Sequence, residues 1–221
     1  MVNINSYIAE LTDQLLQQFR TRLCYVGLQG SYLRGEANAD SDIDIMVVID
    51  GLSISDLDHY RAIIESMAHF DKSCGFICSK EDLSGWNPLE ICHLEHTTRD
   101  YYGALADLIP SYTNTDIRNF IKFSLNGLYH SLCHSYIHAD RKAFVSSLPG
   151  MYKGVFFILQ NLHYLRHREF IETKAALLQA LTGKDADVLK HTINLSAGNE
   201  YHFEDSLELL FTWCQETLKS L

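Results

Sequence analysis

The sequence predicts two domains: an α/β (α+β) domain over residues 1–110 and an all-α helical-bundle domain over residues 111–221. In the first part, short apolar runs of strand length alternate with stretches of helical periodicity. Pro, Ser, Thr and Asn then cluster at residues 109–114, as at a boundary between structural units. From Asp116 onward, apolar residues recur at helical spacing, which is typical of a helical bundle.

The composition indicates a globular protein with a substantial core, since 47% of its 221 residues are hydrophobic. A net charge of −10 repels phosphate backbones, so we expect no long nucleic-acid partner. No apolar run approaches membrane-spanning length, and the N-terminus has no signal-peptide core. The six cysteines are scattered in apolar segments, as expected for buried thiols. We therefore expect a cytoplasmic protein with no membrane partner.

Periodicity predicts the elements of each domain. In the first domain we predict helices over residues 6–20 and 53–70, a strand over residues 23–29, and a second strand ending at residues 50–51. The remaining predictions there are a strand over residues 73–78, a loop over residues 80–89, a strand over residues 91–96 and a helix over residues 99–108. In the second domain the helical pattern is clearest over residues 116–128, 150–168, 172–181 and 203–218.

One stretch combines a tight turn with two closely spaced carboxylates. An apolar run ends at Gly30, where the lack of a Cβ lets a phosphate approach the backbone, and Ser31 follows at a helix start that favours anions. Asp42 and Asp44 lie at the start of the next apolar strand, and alternate residues of a strand share a face. Two adjacent carboxylates repel each other unless a cation lies between them, and oxygen-rich sites suit Mg²⁺.

Gly30-Ser31, ten intervening residues and Asp42-Ile43-Asp44 resemble the motif of the nucleotidyltransferase superfamily of DNA polymerase beta. Arg34-Gly35 and Ser41 are similar to residues favoured by its smaller members, the antibiotic and minimal nucleotidyltransferases. The resemblance covers roughly residues 20–50. It implies a nucleotidyltransferase domain with a mixed sheet, followed by helices that look like those holding the acceptor substrate in antibiotic nucleotidyltransferases.

The resemblance also implies a role for each motif residue. Asp42 and Asp44 would bind Mg²⁺ and act in catalysis, because metal ions neutralise the charge of a phosphoryl-transfer transition state. Arg34 would make a charge-assisted contact to a nucleoside triphosphate, which is ATP or another NTP. The predicted nucleotide-binding residues are Gly30, Ser31, Arg34 and Ser41.

A third carboxylate is expected from the resemblance on a neighbouring strand, but residues 73–78 contain none and have Cys74 and Gly75 at the expected positions. We take Glu90 as the candidate third catalytic acid. The other nearby acids are Asp71, Glu81, Asp82 and Glu95. Without a third acid, the enzyme could use a single metal ion or take its general base from the helical domain. That base would be Glu169 or Glu172, near the basic cluster His163, Arg166, His167 and Arg168.

Two other groups of side chains have the chemistry of metal ligands. One is a histidine series at helical spacing, which is either a transition-metal site or a polar packing stripe. The other is a cysteine-rich set without paired Cys-x-x-Cys spacing, which we interpret as core thiols. The members are His130, His134 and His138 in the first group, and Cys74, Cys78, Cys92 and His93 in the second.

These features favour a Mg²⁺-dependent nucleotidyltransferase that moves an NMP onto a hydroxyl of a small-molecule acceptor such as an antibiotic. The first choice of NMP is AMP, taken from ATP. The acidic charge suits a cationic acceptor. Two alternatives remain open: nucleotidylation of a protein acceptor, and a catalytically lapsed nucleotide-binding or regulatory module, which the missing acid suggests. A homodimer is also compatible with the sequence.

Overall fold

The computed structural model describes residues 2–221 and divides into two compact units, one ending at Ser111 and the other spanning Tyr112–Leu221. The first unit contains a four-stranded sheet formed by β1 (Leu23–Leu28), β2 (Ile43–Ile49), β3 (Ser73–Ser79) and β4 (Arg99–Tyr102). Its strand order is β3-β2-β1-β4. β1 is antiparallel to β2 and β4, whereas β2 and β3 are parallel. The sheet is therefore mixed, as the sequence predicts.

Helices cover both faces of this sheet. They are α1 (Ile4–Phe19), α2 (Gly30–Leu33), α3 (Ile54–Ser66), α4 (Lys80–Ser84) and α5 (Pro88–His96). α3 makes the crossover that parallel β2 and β3 require. It begins with a capping box, in which Ser53 and Asp56 satisfy each other's backbone amides.

Alternation along β2 sorts its side chains between two cores. Ile43, Ile45, Val47 and Ile49 pack with residues of α1 and α3. Met46 and Val48 point to the other face, together with Tyr25, Cys78 and Leu83. Asp44 has the same parity as Met46, so its carboxylate lies on that second face, at the end of the sheet where β2 begins.

The predicted loop over residues 80–89 is wrong, because α4 lies within it. Ser79 accepts a hydrogen bond from the Asp82 amide, and the Asp82 side chain accepts one from the Ser79 amide. This reciprocal cap starts α4.

The predicted strand over residues 91–96 and the predicted helix over residues 99–108 are also wrong. The first belongs to α5, which begins with Asn87 as cap and Pro88 in the first turn, a signal that favours a helix start. The second begins with β4, where Tyr102 pairs with Val26 on β1. Pairing with a neighbouring strand decides the conformation of such a short segment, and its own sequence does not reveal the partner.

The second unit is all-helical, as predicted. Its helices are α6 (Asn114–His138), α7 (Arg141–Tyr152), α8 (Val155–His167), α9 (Lys174–Ala180), α10 (Gly183–Ser196) and α11 (Phe203–Ser220). α6 packs on α8 and α11, and α10 packs on the same two helices. The indole of the buried Trp213 donates a hydrogen bond of 2.7 Å to Asp185, which joins α11 to α10. Within residues 2–221, no helix combines the length and the apolar character needed to cross a membrane.

Candidate active site

The sequence motif is assembled where β1 ends beside the start of β2. Leu28 pairs with Ile45 in the antiparallel ladder, and the Gln29 amide donates a hydrogen bond of 2.9 Å to the Asp44 carbonyl. The turn that follows β1 therefore lies directly against the Asp44 residue. Strand pairing brings together two halves of the motif that are separated by a loop in the sequence.

Gly30 lies directly against the Asp44 carboxylate in this turn. Its φ is +68°, a left-handed conformation that glycine adopts without steric cost. A Cβ built at Gly30 would overlap Asp44 Oδ2. Two features therefore favour glycine at position 30. One is the left-handed backbone conformation, and the other is the Asp44 carboxylate, which occupies the space that a Cβ would need.

α2 starts at Gly30 and consists of a single turn, ending at Leu33. Amides in the first turn of a helix have no acceptor within the helix. Ser31 is half-buried in this turn, and its carbonyl accepts a hydrogen bond of 2.9 Å from the Glu36 amide. The backbone of the turn is thus fixed, with the amides of the Gly30-Ser31 segment at its start.

The two aspartates differ in exposure and act on each other. Asp42 is exposed, whereas Asp44 is half-buried. Burial raises the pKa of the Asp44 carboxyl, and the negative charge of Asp42 raises it further, against the opposing effects of the Cys74 thiol and the Arg34 cation. A cation bound to this pair would relieve both the burial and the repulsion of the charged form.

Cys74 occupies the place on β3 that faces Asp44. The parallel register pairs Asp44 with Cys74, and the nearby Cys74 thiol lowers the pKa of the Asp44 carboxyl. Burial, together with the charges of Asp44 and Asp42, raises the pKa of the exposed Cys74 thiol. The group beside the aspartates on this strand is therefore a protonated thiol at neutral pH.

The neighbouring position on β3 cannot hold an acid. Gly75 has a φ of +146°, and a Cβ built there would overlap the Ile45 carbonyl oxygen. A side chain at position 75 would thus collide with the backbone of β2. Of the two positions that the sequence singled out for a missing acid, only position 74 has space for one.

Arg34 lies at the end of α2 and is held by a carboxylate that the sequence analysis missed. Its Nε donates a hydrogen bond of 3.0 Å to Glu36 Oε2, and both side chains are mostly buried. The Arg34 charge also acts on Asp44 and on His93 of α5. Burial, with the charges of Arg34 and His96, lowers the pKa of His93 to about 4, so this histidine is neutral at pH 7. Only the proximity of Glu36 to Arg34 in the sequence could have indicated the pair.

Ser41 shapes the loop that leads into β2. Its hydroxyl accepts a hydrogen bond of 2.9 Å from the Asn38 amide, and Asn38 Oδ1 accepts one of 2.8 Å from the Asp40 amide. Lys72 binds the Ala39 carbonyl of the same loop. These contacts explain a structural role for Ser41, while its contact with a nucleotide stays a prediction.

Glu90, the candidate third acid, lies in the first turn of α5 and is exposed. Its carboxylate accepts a hydrogen bond of 2.7 Å from the Trp86 indole, and Trp86 packs edge-on against Phe76. The side chains that act on the Asp44 carboxyl are Cys74, Asp42 and Arg34, and Glu90 is not among them. The catalytic role of Glu90 therefore stays a prediction that no contact supports.

The other two groups of metal-ligand residues differ in exposure. His130, His134 and His138 are exposed on one face of α6, with successive ring centroids 5.9 and 4.9 Å apart. In the cysteine-rich set, Cys78 and Cys92 are buried core residues. Within residues 2–221, no three His, Cys, Asp or Glu side chains are already gathered around a common ion position.

A pair of carboxylates nevertheless fits the magnesium that the sequence motif implies. Mg²⁺ keeps several waters and binds through one or two carboxylates together with substrate phosphates. Asp42 and Asp44 would supply those carboxylates, and the Asp44 carboxylate lies directly against the Gly30 turn. The missing ligands of such an ion are those that a bound triphosphate and water provide.

Comparison with protein families identifies this part of the chain. The family model described as a nucleotidyltransferase domain matches residues 10–72, a segment that contains the turn, both aspartates and α3. Residues 10–72 therefore match the nucleotidyltransferase domain family. This match confirms the predicted superfamily and the predicted class of enzyme, a nucleotidyltransferase. A search of curated proteins found no significant match.

Solved structures extend the likeness over both units. The spectinomycin adenyltransferase AAD(9) from Enterococcus faecialis, crystallised with ATP and spectinomycin, superposes with a TM-score of 0.59 at 14% identity, covering 98% of this chain and 100% of that one. At this identity the likeness establishes the fold. A toxin–antitoxin structure with AMP-PNP gives a TM-score of 0.32 at 20% identity, covering 66% of this chain and 97% of that one, which does not establish a shared fold.

Proposed function

We propose that this nucleotidyltransferase transfers AMP from ATP, with Mg²⁺, to a hydroxyl group of a small-molecule acceptor. The observation that carries the proposal is the packing of the Asp44 carboxylate against Gly30, with Asp42 beside it on the same end of the sheet. A glycine turn that follows a strand and a repelling pair of carboxylates are thereby close together, which supports a site for a phosphate and a cation. ATP is the donor because it is the nucleotide of the adenyltransferase that shares the fold.

Each motif residue has a role in this proposal. Mg²⁺ held by Asp42 and Asp44 supplies charge neutralisation at the phosphate that is transferred. The Gly30-Ser31 turn binds the terminal phosphates through its first-turn amides and the Ser31 hydroxyl. Arg34, aligned by Glu36, adds positive charge next to Asp44. The leaving group is pyrophosphate, so no atom of the protein is consumed.

The acceptor is the less defined part of the proposal. The adenyltransferase with the same fold is named for spectinomycin, which makes spectinomycin and related hydroxylated cations the first acceptors to test. The net charge of −10 favours a cationic acceptor over an anionic one, because like charges repel at a distance. A protein acceptor remains the alternative for an enzyme that shows no activity with small molecules.

A second candidate function is nucleotide binding without transfer, and Cys74 is the observation that favours it. A thiol held in its protonated form faces Asp44 where a carboxylate would activate the acceptor hydroxyl. Under this reading the protein binds Mg²⁺ and ATP normally and releases no pyrophosphate with any acceptor. The two candidates thus share the nucleotide site and differ only in turnover.

The test measures pyrophosphate release from ATP and Mg²⁺ with a panel of hydroxylated cations, spectinomycin among them. We expect acceptor-dependent release that Asp42→Asn and Asp44→Asn both abolish. Asp40→Asn is the matched control, since Asp40 is an exposed aspartate in the same loop. Binding of ATP without release would favour the second candidate, and the absence of ATP binding would contradict both.

A further inference from the structure

A buried histidine in the second unit lacks the partners that buried polar groups normally have. His163 lies on α8 with only 6% of its surface exposed. Among the described residues, neither of its ring nitrogens has a hydrogen-bond partner. Burying an unsatisfied polar group is unfavourable, and such a group indicates a missing water or ion.

Two further ligand-type side chains lie beside His163. His167 is one helical turn further along α8, and the two imidazole ring centroids are 4.5 Å apart. Glu169 Oε2 lies 3.9 Å from His163 Nε2, which is too long for a hydrogen bond. A metal ion about 2.1 Å from each of two ring nitrogens places the ring centres roughly 5 Å apart, so the two rings have the spacing of a chelating pair.

The path of the backbone after α8 explains why the Glu169 carboxylate lies close to the two histidines. α8 ends at His167, and Arg168 adopts a left-handed conformation with a φ of 61°, which reverses the chain. Gln160 on α8 then donates hydrogen bonds of 2.8 and 3.2 Å to the carbonyls of Ile171 and Glu172. The segment after the helix is thereby tied to the helix itself, and Glu169 is kept close to His163.

The two arginines beside the cluster are engaged by other side chains. Arg166 is engaged by Asp185 at 2.9 Å, and Arg168 binds Asn114 and lies over the Tyr164 ring. Glu169 supplies the negative charge, and with 73% of its side chain exposed it has the freedom to rotate toward a bound ion.

We propose that His163, His167 and Glu169 form a binding site for one borderline divalent transition-metal ion such as Zn²⁺. Two imidazoles and one carboxylate are a ligand set that Zn²⁺ accepts, with the fourth position left for water or another ligand. Rotation of Glu169 brings its carboxylate into the coordination sphere and satisfies the buried His163 nitrogen. This site is separate from the aspartate pair and does not depend on the proposed transfer reaction.

The experiment is a calorimetric titration of the metal-stripped full chain with Zn²⁺, in excess Mg²⁺ to occupy the Asp42 and Asp44 pair. We expect one equivalent to bind, with the dissociation constant raised at least tenfold by His167→Asn and by Glu169→Gln. Both residues are exposed, so neither substitution removes a core side chain. His163→Asn should abolish binding, and its melting temperature shows whether that variant folds.

The double variant His134→Asn/His138→Asn is the matched control. These exposed residues also lie one turn apart on a helix, with ring centroids 4.9 Å apart, but no carboxylate is paired with them. We expect this variant to bind Zn²⁺ as the wild type does. No saturable binding, unchanged binding in His167→Asn and Glu169→Gln, or loss of binding in the control would each overturn the proposal.

Discussion

Asp44 on β2 and Cys74 on β3 are direct partners in the parallel ladder, and the Cys74 thiol lowers the pKa of the Asp44 carboxyl. The partner of the proposed metal-binding aspartate is thus a protonated thiol, which cannot act as a general base. Position 74 nevertheless has the space and the direction that a third carboxylate would need, because Cys74 is exposed and its neighbour Gly75 is blocked.

Replacing Cys74 by Asp should therefore complete the carboxylate set. We expect Cys74→Asp to bind Mg²⁺ more tightly than the wild type and to raise the rate of acceptor-dependent pyrophosphate release at least tenfold, since a general base contributes roughly 10²–10⁴-fold. Steady-state kinetics across a Mg²⁺ series measures both effects. Cys74→Ser is the control, and equal rates in all three proteins would exclude position 74 from the reaction.

Gly30→Ala should damage the site more than a comparable change nearby. The new methyl group would overlap the Asp44 carboxylate, and the residue would also be forced into a left-handed conformation that costs about 1–2 kcal/mol. Gly35 has nearly the same φ, +67°, but open space around it, so Gly35→Ala carries the conformational cost alone. We expect Gly30→Ala to lose Mg²⁺-ATP binding, measured by calorimetry, and Gly35→Ala to keep it. Equal losses would contradict the contact with Asp44.

Asp44→Asn should stabilise the metal-free protein at neutral pH. Burial and Asp42 raise the pKa of Asp44 above its ordinary value of 3.8 in the folded state. The native state then binds this proton more tightly than the unfolded chain, so stability falls as pH rises through the raised pKa. Asn removes that penalty. In a chelator, the melting temperature of Asp44→Asn should exceed that of the wild type at pH 7, and the difference should vanish below pH 3.8.

Asp40→Asn should leave that melting temperature unchanged across the same pH range, because Asp40 is exposed. Adding Mg²⁺ should reverse the order of the two proteins, since only the wild type retains both carboxylates. A wild type that is the more stable protein in a chelator would show that Asp42 and Asp44 do not repel each other.

The local motif could be predicted from the sequence, whereas the surroundings of the site could not. Gly30, Ser31, Asp42 and Asp44 form a pattern whose strand-turn-strand context is contained in adjacent residues. The position of Cys74 opposite Asp44 depends on the register of parallel strands that a crossover helix separates. No local signal fixes that register.

The same distinction explains the errors over residues 80–108. The caps at Ser79 and Asn87 were available in the sequence as helix-start signals, and weighing them above the apolar run would have given α4 and α5. In contrast, β4 is a four-residue strand that exists through its pairing with β1. Propensity is a weak guide where a partner strand decides the conformation.

The Arg22–Asp56 ion pair should stabilise the folded protein at neutral pH, and this stabilisation should be lost in strong acid. Arg22 reaches both carboxylate oxygens of the buried Asp56, at 3.0 and 2.7 Å, and also donates to the Asp50 and Gly51 carbonyls. The hydrogen bonds from Arg22 and Ser53 hold the pKa of Asp56 far below its usual range. Stability from this pair is therefore present above the ordinary carboxyl pKa, about 3.9, and is lost as pH falls through the lowered value.

Asp56→Asn should lower the melting temperature by several degrees at pH 7 and by less in strong acid. Glu65→Gln breaks an exposed pair with Arg61 one helical turn away and serves as the control, with little expected change. Thermal unfolding followed by circular dichroism across pH measures both variants. A loss in Asp56→Asn that is independent of pH would show that the charge of Asp56 is not the source of its effect.

The most direct test of the proposed function is thermal unfolding of the wild type and Asp42→Asn with ATP, each with and without Mg²⁺. A ligand at about 100 times its Kd stabilises the folded state by roughly 2.7 kcal/mol. The account predicts that ATP raises the wild-type melting temperature only when Mg²⁺ is present and that Asp42→Asn shows no such shift. A shift of equal size without Mg²⁺, or one that Asp42→Asn retains, would contradict the assignment of a metal-dependent nucleotide site to the aspartate pair.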